Sequence, residues 1–339
     1  MRCLLLALSL STLVACGKES GDDGGPDVDA GFTGETFRMT WGPVNVPAGT
    51  EDTQCIWMRL DNDAEIKGHS LHNVLSGGSH HLIVYKDDMD TTENKTPTQC
   101  EPFTGALNTS GMIAPIAITQ KADDKIFLPD RVAYTFAPHQ MVKLEMHYLN
   151  ATDSDEMVTA NVDFFVAQPS EIDHEASILF TGSPDIDIKA GMPASLHQFF
   201  TVPDYLDLSQ AKIFAITGHT HALGTDVNVR VAPSKTGPMT EVYAPQPFSW
   251  SEPETRTFDT PFSIPKGGGL DFECKWNNTT GQDVGFGESA KKEMCFFWAY
   301  YYPSQGSKVC IHTEKYGGAN GLNACCPGDS LCGLIEDNF

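Results

Sequence analysis

Six residues of this 339-residue chain could hold a soft metal ion: His80, His81, His147, His219, His221 and Met294. Imidazole suits copper, zinc, iron and nickel. A thioether added to two imidazoles makes a soft donor set that selects copper, Cu(I) above all. Zinc takes Cys, His and carboxylate and rarely Met. Taken singly these residues say little. Adjacent or alternate pairs arise easily by chance among 11 histidines, and a Met ahead of an aromatic strand is ordinarily core filler.

The elements that must carry them add information. The run 212–222 (KIFAITGHTHA) alternates as a strand, and side chains at i and i+2 share a face. His219 and His221 therefore project together, with Thr217 on the same side, and suit one ion. In 141–148 (MVKLEMHY), Val142, Leu144, Met146 and Tyr148 form one face fit for a core. Lys143, Glu145 and His147 form the other, so His147 points out of its own sandwich, as a ligand in a cleft between domains would. His80 and His81 would face opposite ways on a regular strand, and both can reach one ion only if the strand bulges. Gly77 and Gly78 just before them permit that.

Around these segments the chain reads as short apolar runs rich in β-branched and aromatic residues, broken by Gly, Pro, Asn and Asp. No long helical stripe interrupts them. The pattern predicts an all-β protein of two tandem antiparallel β-sandwich, jelly-roll-like domains, 35–168 and 169–303, with the boundary near QPSEIDHE. Residues 304–339 hold four cysteines and little to build a core from, and read as a disulfide-stapled extension. Forty-five acidic residues against 22 basic give a net charge of −23. That excludes the basic footprint of a nucleic-acid binder. The expected partners are a small molecule and O₂, and the chain is expected to be monomeric.

Residues 1–15 have a positive start and an apolar run too short to span a bilayer, as in a signal peptide. The run ends in LVAC, which resembles a bacterial lipobox with Cys16 as the acylated residue. Residues 16–34 then read as a lipidated, acidic, flexible tether. Gly17 after the cysteine resembles outer-membrane sorting. This predicts an exported lipoprotein held on the membrane through Cys16. An ordinary secretory signal is the alternative. Removing Cys3 and Cys16 leaves eight cysteines, enough for four disulfides, whose pairing spacing alone does not give.

The segments SHHLIVYK, LEMHYLN, GHTHALG and EMCFFWAYYYP, in this order across about 35–303, resemble the copper type II ascorbate-dependent monooxygenases, the family of peptidylglycine alpha-hydroxylating monooxygenase and dopamine beta-monooxygenase. The resemblance implies two copper ions, with ascorbate as the co-substrate reductant. It assigns His80, His81 and His147 to an electron-donating copper in the first domain. His219, His221 and Met294 fall to the copper where O₂ binds and a C–H bond is hydroxylated. It further implies the disulfides Cys55–Cys100 and Cys274–Cys295. One departure bears on substrate. Peptide-hydroxylating members carry a carboxylate-clamping Arg where this chain has Thr217, and an Asn and a Tyr where it has Phe296 and Trp298. Thr217, Phe296 and Trp298 are thus expected to wall an apolar, aromatic pocket without a bidentate carboxylate anchor. A non-catalytic copper-binding lipoprotein is the rival reading, and a plain β-sandwich with chance histidines the next.

Overall fold

The computed structural model describes residues 32–102, 111–287, 289–317 and 321–333. The signal segment, Cys16 and the tether up to residue 31 lie outside the described residues, as does 334–339 of the tail.

The sequence folds almost entirely as strands. The first half contributes β1 (Phe32–Val46), β2 (Glu51–Arg59), β3 (Ile66–Leu75), β4 (Ser79–Asp87) and β5 (Asn94–Gln99). It continues with β6 (Ile113–Thr119), β7 (Asp123–Phe127), β8 (Val132–Phe136), β9 (Met141–Leu149), β10 (Glu156–Ala167) and β11 (His174–Glu175). They form two facing sheets, one ordered β1-β10-β3-β8-β11 with β7 also on β3, the other β5-β2-β9-β4-β6. β11, inside the stretch read as a boundary, runs parallel to β8 and so belongs with the first sandwich.

The second half contributes β12 (Ser177–Gly182), β13 (Asp187–Ile188), β14 (Pro193–Thr201), β15 (Lys212–His219), β16 (Gly224–Ala232) and β17 (Thr240–Tyr243). β18 (Thr255–Phe262), β19 (Gly269–Asn277), β20 (Val284–Gly285), β21 (Phe296–Tyr302), β22 (Lys308–Thr313) and β23 (Leu322–Cys326) complete it. Its main sheets are β18-β15-β21-β12-β22-β23 and β14-β19-β16-β17.

The tail differs from the sequence reading. β22 pairs parallel with β12 and antiparallel with β23, so residues 308–326 extend the second sandwich's sheet instead of trailing behind it. The residues that looked too few to build a core alternate usefully. Val309, Ile311, Ala324 and Cys326 join one apolar cluster, and Cys310 and Cys325 the other. Disulfides Cys310–Cys325 and Cys326–Cys332 close the segment.

Burial explains the aromatic run FFWAYYY of β21. A strand covered on both faces needs apolar residues at every position, not alternate ones. Phe297, Ala299 and Tyr301 pack inward with Phe200, Phe272 and Ile216. Phe296, Trp298 and Tyr300, with Phe180 and Phe214 beside them, belong to the cluster that runs through the first sandwich's Val142, Leu144 and Phe164. The two sandwiches therefore share apolar core, and the Tyr300 hydroxyl accepts a hydrogen bond from Ile118 N–H across the junction.

Candidate metal centre

β4 carries the first pair. Its ladder with β9 matches Ser79 to Tyr148 but His81 to His147, a one-residue slip that makes His80 the inserted residue. Gly78, at φ +78°, sets up the irregularity in a conformation that L side chains rarely adopt. The bulge turns His80 toward the side that His81 already faces. His80, His81 and His147 then each offer a nitrogen within 4.8 Å of the others. Ring centroids stand 5.3 Å apart for His80–His81, 5.1 Å for His80–His147 and 5.0 Å for His81–His147.

The second group forms where β15 ends and β21 begins. His219 lies opposite Phe296 and Thr217 opposite Trp298 in their antiparallel ladder. The ladder ends there, with His221 two residues past the end of β15 and Met294 two residues before the start of β21. The two segments stay in contact through side chains, since His221 N–H donates to Glu293 Oε2 and His221 Nδ1–H donates to the Lys292 carbonyl. The rings of His219 and His221 are 5.1 Å apart and nearly perpendicular. Met294 is buried next to Cys295, which the disulfide to Cys274 on β19 holds in place. Cys55–Cys100 likewise ties β2 to the end of β5.

Hydrogen bonds from outside the six residues fix which nitrogen faces a metal. Gln120 Oε1 accepts from His219 Nδ1–H at 2.9 Å, and His219 Nε2 is left buried with no hydrogen-bond partner among the described residues. The Lys292 carbonyl likewise accepts from His221 Nδ1–H at 2.9 Å. Glu51 Oε1 accepts from His147 Nε2–H at 3.1 Å, which frees His147 Nδ1. A second-sphere acceptor on each ligating imidazole is the usual device for setting tautomer and ring orientation. His80 Nε2 is a further buried nitrogen without a partner among the described residues. Two orphaned imidazole nitrogens in one buried cluster fit a metal far better than an apolar core, because an unsatisfied buried polar atom costs about 1–3 kcal/mol.

Electrostatics keep the imidazoles in their ligating form. Burial, then the neighbouring histidines, lowers His80 to about 3, and burial lowers His221 to about 4. Burial holds His81 and His219 well below the ordinary histidine range. Glu51 is held down to about 2, chiefly by its hydrogen bond with His147. A basic group whose folded pKa is depressed stabilises fully above its unfolded value, and that contribution is lost as pH falls toward the folded pKa. The metal-free protein is therefore expected to lose stability from about pH 6.5 downward toward pH 3, at about 1.4 kcal/mol per unit for each such imidazole. Thermal melts of the metal-free protein at steps through that window check this. A flat melting temperature between pH 7 and 4 would show that these imidazoles are not buried neutral.

A cleft of about 330 Å³ opens beside the cluster between Leu75, His80, Gln120 and Leu149 on one side and Trp250 and Glu252 on the other. The Trp250 and His80 rings are 6.0 Å apart. Thr217, Phe296 and Trp298, expected to wall a pocket, are buried and do not line this cleft. Phe296 stacks on Phe180 at 4.9 Å, Trp298 lies 6.0 Å from His219, and the Thr217 hydroxyl bonds that of Thr255. They form the aromatic floor behind the second group, while the open space lies on the His80 side. Gln120, Glu51, Glu293 and Trp250 went unread in the sequence. Only Glu293, next to Met294, stood near a recognised residue.

Residues 198–319 match the family model described as copper type II ascorbate-dependent monooxygenase, C-terminal domain. This stretch of the chain is similar to that family's C-terminal domain. The match contains His219, His221 and Met294, whereas His80, His81 and His147 precede it. Among solved structures the chain is similar to the major capsid protein P2 of bacteriophage PM2, at 9% identity over 80% of this chain and 100% of that one, with a TM-score of 0.35. It is also similar to the cowpea mosaic virus top component, at 6% identity over 77% and 90%, with a TM-score of 0.26. At such scores neither likeness bears on function.

Proposed function

We propose that this chain is a two-copper, ascorbate-dependent monooxygenase that hydroxylates a C–H bond of a small neutral, apolar or aromatic molecule. The observation that carries the reading is the buried His80-His81-His147 cluster standing against His219 and His221, the latter pair inside the matched copper-monooxygenase domain. In this reading His80, His81 and His147 hold one copper, and His219, His221 and Met294 the other. Bound copper supplies O₂ binding and one-electron storage at each ion, reloaded by the reductant.

The chain's own residues do the rest. Gln120, the Lys292 carbonyl and Glu51 orient three of the imidazoles before any metal arrives, so little reorganisation accompanies binding. Phe180, Phe296 and Trp298 close the back of the second group and keep water out. The cleft under Trp250 is the route by which a small molecule reaches the cluster, with apolar contacts from Leu75 and Leu149 and no guanidinium to clamp a carboxylate.

Reconstitution with copper, followed by metal analysis and oxygen-electrode measurements, tests the proposal. About two coppers per chain, with ascorbate-dependent O₂ uptake raised by a neutral aromatic in a substrate panel, is the expected result. Two coppers with no stimulated uptake over a broad panel would favour a copper-binding protein without turnover. Less than one copper per chain would end the reading.

A further inference from the structure

We infer that the cleft under Trp250 binds a neutral one-ring molecule by a carbonyl or amide oxygen, which Gln120 Nε2–H and the Ser79 hydroxyl hold. The inference rests on the proposed function and deepens it by naming the polar group of the ligand. The cleft is walled from both sandwiches. Leu75, Ala122 and Leu149 of the first give apolar contact, and Trp250, in the loop between β17 and β18, stands on the opposite side. That loop is tied at two places. The Tyr243 hydroxyl donates to the Glu254 carbonyl at 2.8 Å, and Glu252 N–H donates to Ser249 Oγ at 3.1 Å. A volume of about 330 Å³ is at the low end for ligand pockets and suits one ring with a small substituent. The Trp250 indole gives such a ring an aromatic face to pack on.

Two polar side chains in these walls have a group left over. Gln120 commits its Oε1 to His219 Nδ1–H, and its Nε2 is buried with no hydrogen-bond partner among the described residues. The Ser79 hydroxyl is buried in the same condition. Buried polar atoms are nearly always paired in native proteins, so two left over in the walls of one cleft point to a ligand group. An amide nitrogen only donates, and a hydroxyl can donate as well, so together they suit an acceptor. The charges around the cleft decide its kind. Glu252 lines the cleft, and the Glu156 carboxylate lies against Gly78, where an added methyl would meet Oε2 at 2.8 Å. Among the described residues no Lys or Arg lines it. A carboxylate ligand would accept from both donors but face two negative groups with no cation to offset them. A hydrocarbon would fill the walls and leave both donors unpaired. A protonated amine would bring donors to donors. A ring ketone or amide satisfies the donors without adding charge.

The test is calorimetric titration of the full chain with acetophenone, cumene, benzoate and benzylamine, which are close in size and differ in their polar group. No metal is added, so the outcome is separate from that of copper reconstitution. Acetophenone is expected to bind about tenfold tighter than cumene, the span of one or two neutral hydrogen bonds, and tighter than either charged probe. Gln120→Glu keeps an oxygen for His219 Nδ1–H and replaces the donor by an acceptor. It should bring acetophenone down to the level of cumene. Ser79→Ala should reduce the preference about threefold. Trp250→Ala should weaken acetophenone and cumene alike. Equal affinities of the parent for acetophenone and cumene would mean that solvent alone satisfies the two donors. That result, or tightest binding of benzoate or benzylamine, would overturn the inference and leave the copper reading to its own test. An unchanged preference in Gln120→Glu would overturn it as well.

Discussion

On the proposed two-copper reading, Met294→Leu keeps the fold and loses the oxygen chemistry. Leucine nearly matches methionine in volume, and such swaps in a core ordinarily cost less than about 1.5 kcal/mol. Met294→Ala would instead open a cavity at a residue only 3% exposed, and would confuse a packing loss of about 2–5 kcal/mol with the loss of a ligand. The leucine variant removes only the sulfur, the one soft donor of the second group and the feature that prefers Cu(I). Ascorbate-dependent O₂ uptake is expected to fall by more than about 100-fold, beyond what losing a supporting partner around a metal costs. Copper at His80, His81 and His147 should survive, so content falls from about two per chain toward one under chelator challenge. Met294→His, which restores a donor of another kind, should recover copper content but not the preference for Cu(I). Full O₂ uptake by Met294→Leu would return Met294 to the role of core filler and remove the second copper's third ligand.

The sequence disclosed this centre unevenly, for physical reasons. His147 was legible because strand alternation separates its face from that of Val142, Leu144 and Met146 with no knowledge of what packs opposite. His80 and His81 were legible as a pair needing a bulge, since two adjacent residues on a regular strand cannot share a face and Gly77-Gly78 offers the distortion. Both readings use information within a few residues. Gln120, Glu51 and Trp250 act over separations of about a hundred residues or more; Gln120 meets His219 at a separation of 99 and Glu51 meets Ala290 at 239. Nothing local marks them.

The junction between the sandwiches was hidden for another reason. Phe296 and Trp298 lie on the face that β15 and β21 turn toward the first sandwich, and an apolar face reads the same whether it meets a substrate or another domain. The structure fills it with Phe180 and Tyr300 and leaves the open volume beside Trp250. The tail misled through composition. KVCIHT and LNACC look poor in core residues, yet as strands placed on an existing sheet they need to supply only a few apolar side chains per face.

Glu293→Gln is expected to damage the protein almost as much as Glu293→Ala, and the reason lies in hydrogen-bond polarity. The Glu293 side chain is buried, and its two oxygens accept from Trp276 Nε1–H, His221 N–H and Leu223 N–H at 2.8, 2.9 and 2.8 Å. Burial raises its pKa, and these donors oppose that rise. An amide offers one acceptor and turns its NH₂ toward donors, so at least one N–H is left facing another. Each unpaired buried donor costs about 1–3 kcal/mol, which puts the loss at about 3 kcal/mol for alanine and not much less for glutamine. The same bonds splice 221–223 to Glu293, alongside the His221 ring's bond to the Lys292 carbonyl. Copper affinity at the second group should therefore fall about 10- to 100-fold, while the first group, which touches none of these atoms, keeps its copper. Calorimetric melts paired with a copper titration read both effects. A glutamine variant that melts within about 0.5 kcal/mol of the parent and binds both coppers normally would mean that Glu293 carries a proton and donates, and the carboxylate splice would have to be abandoned.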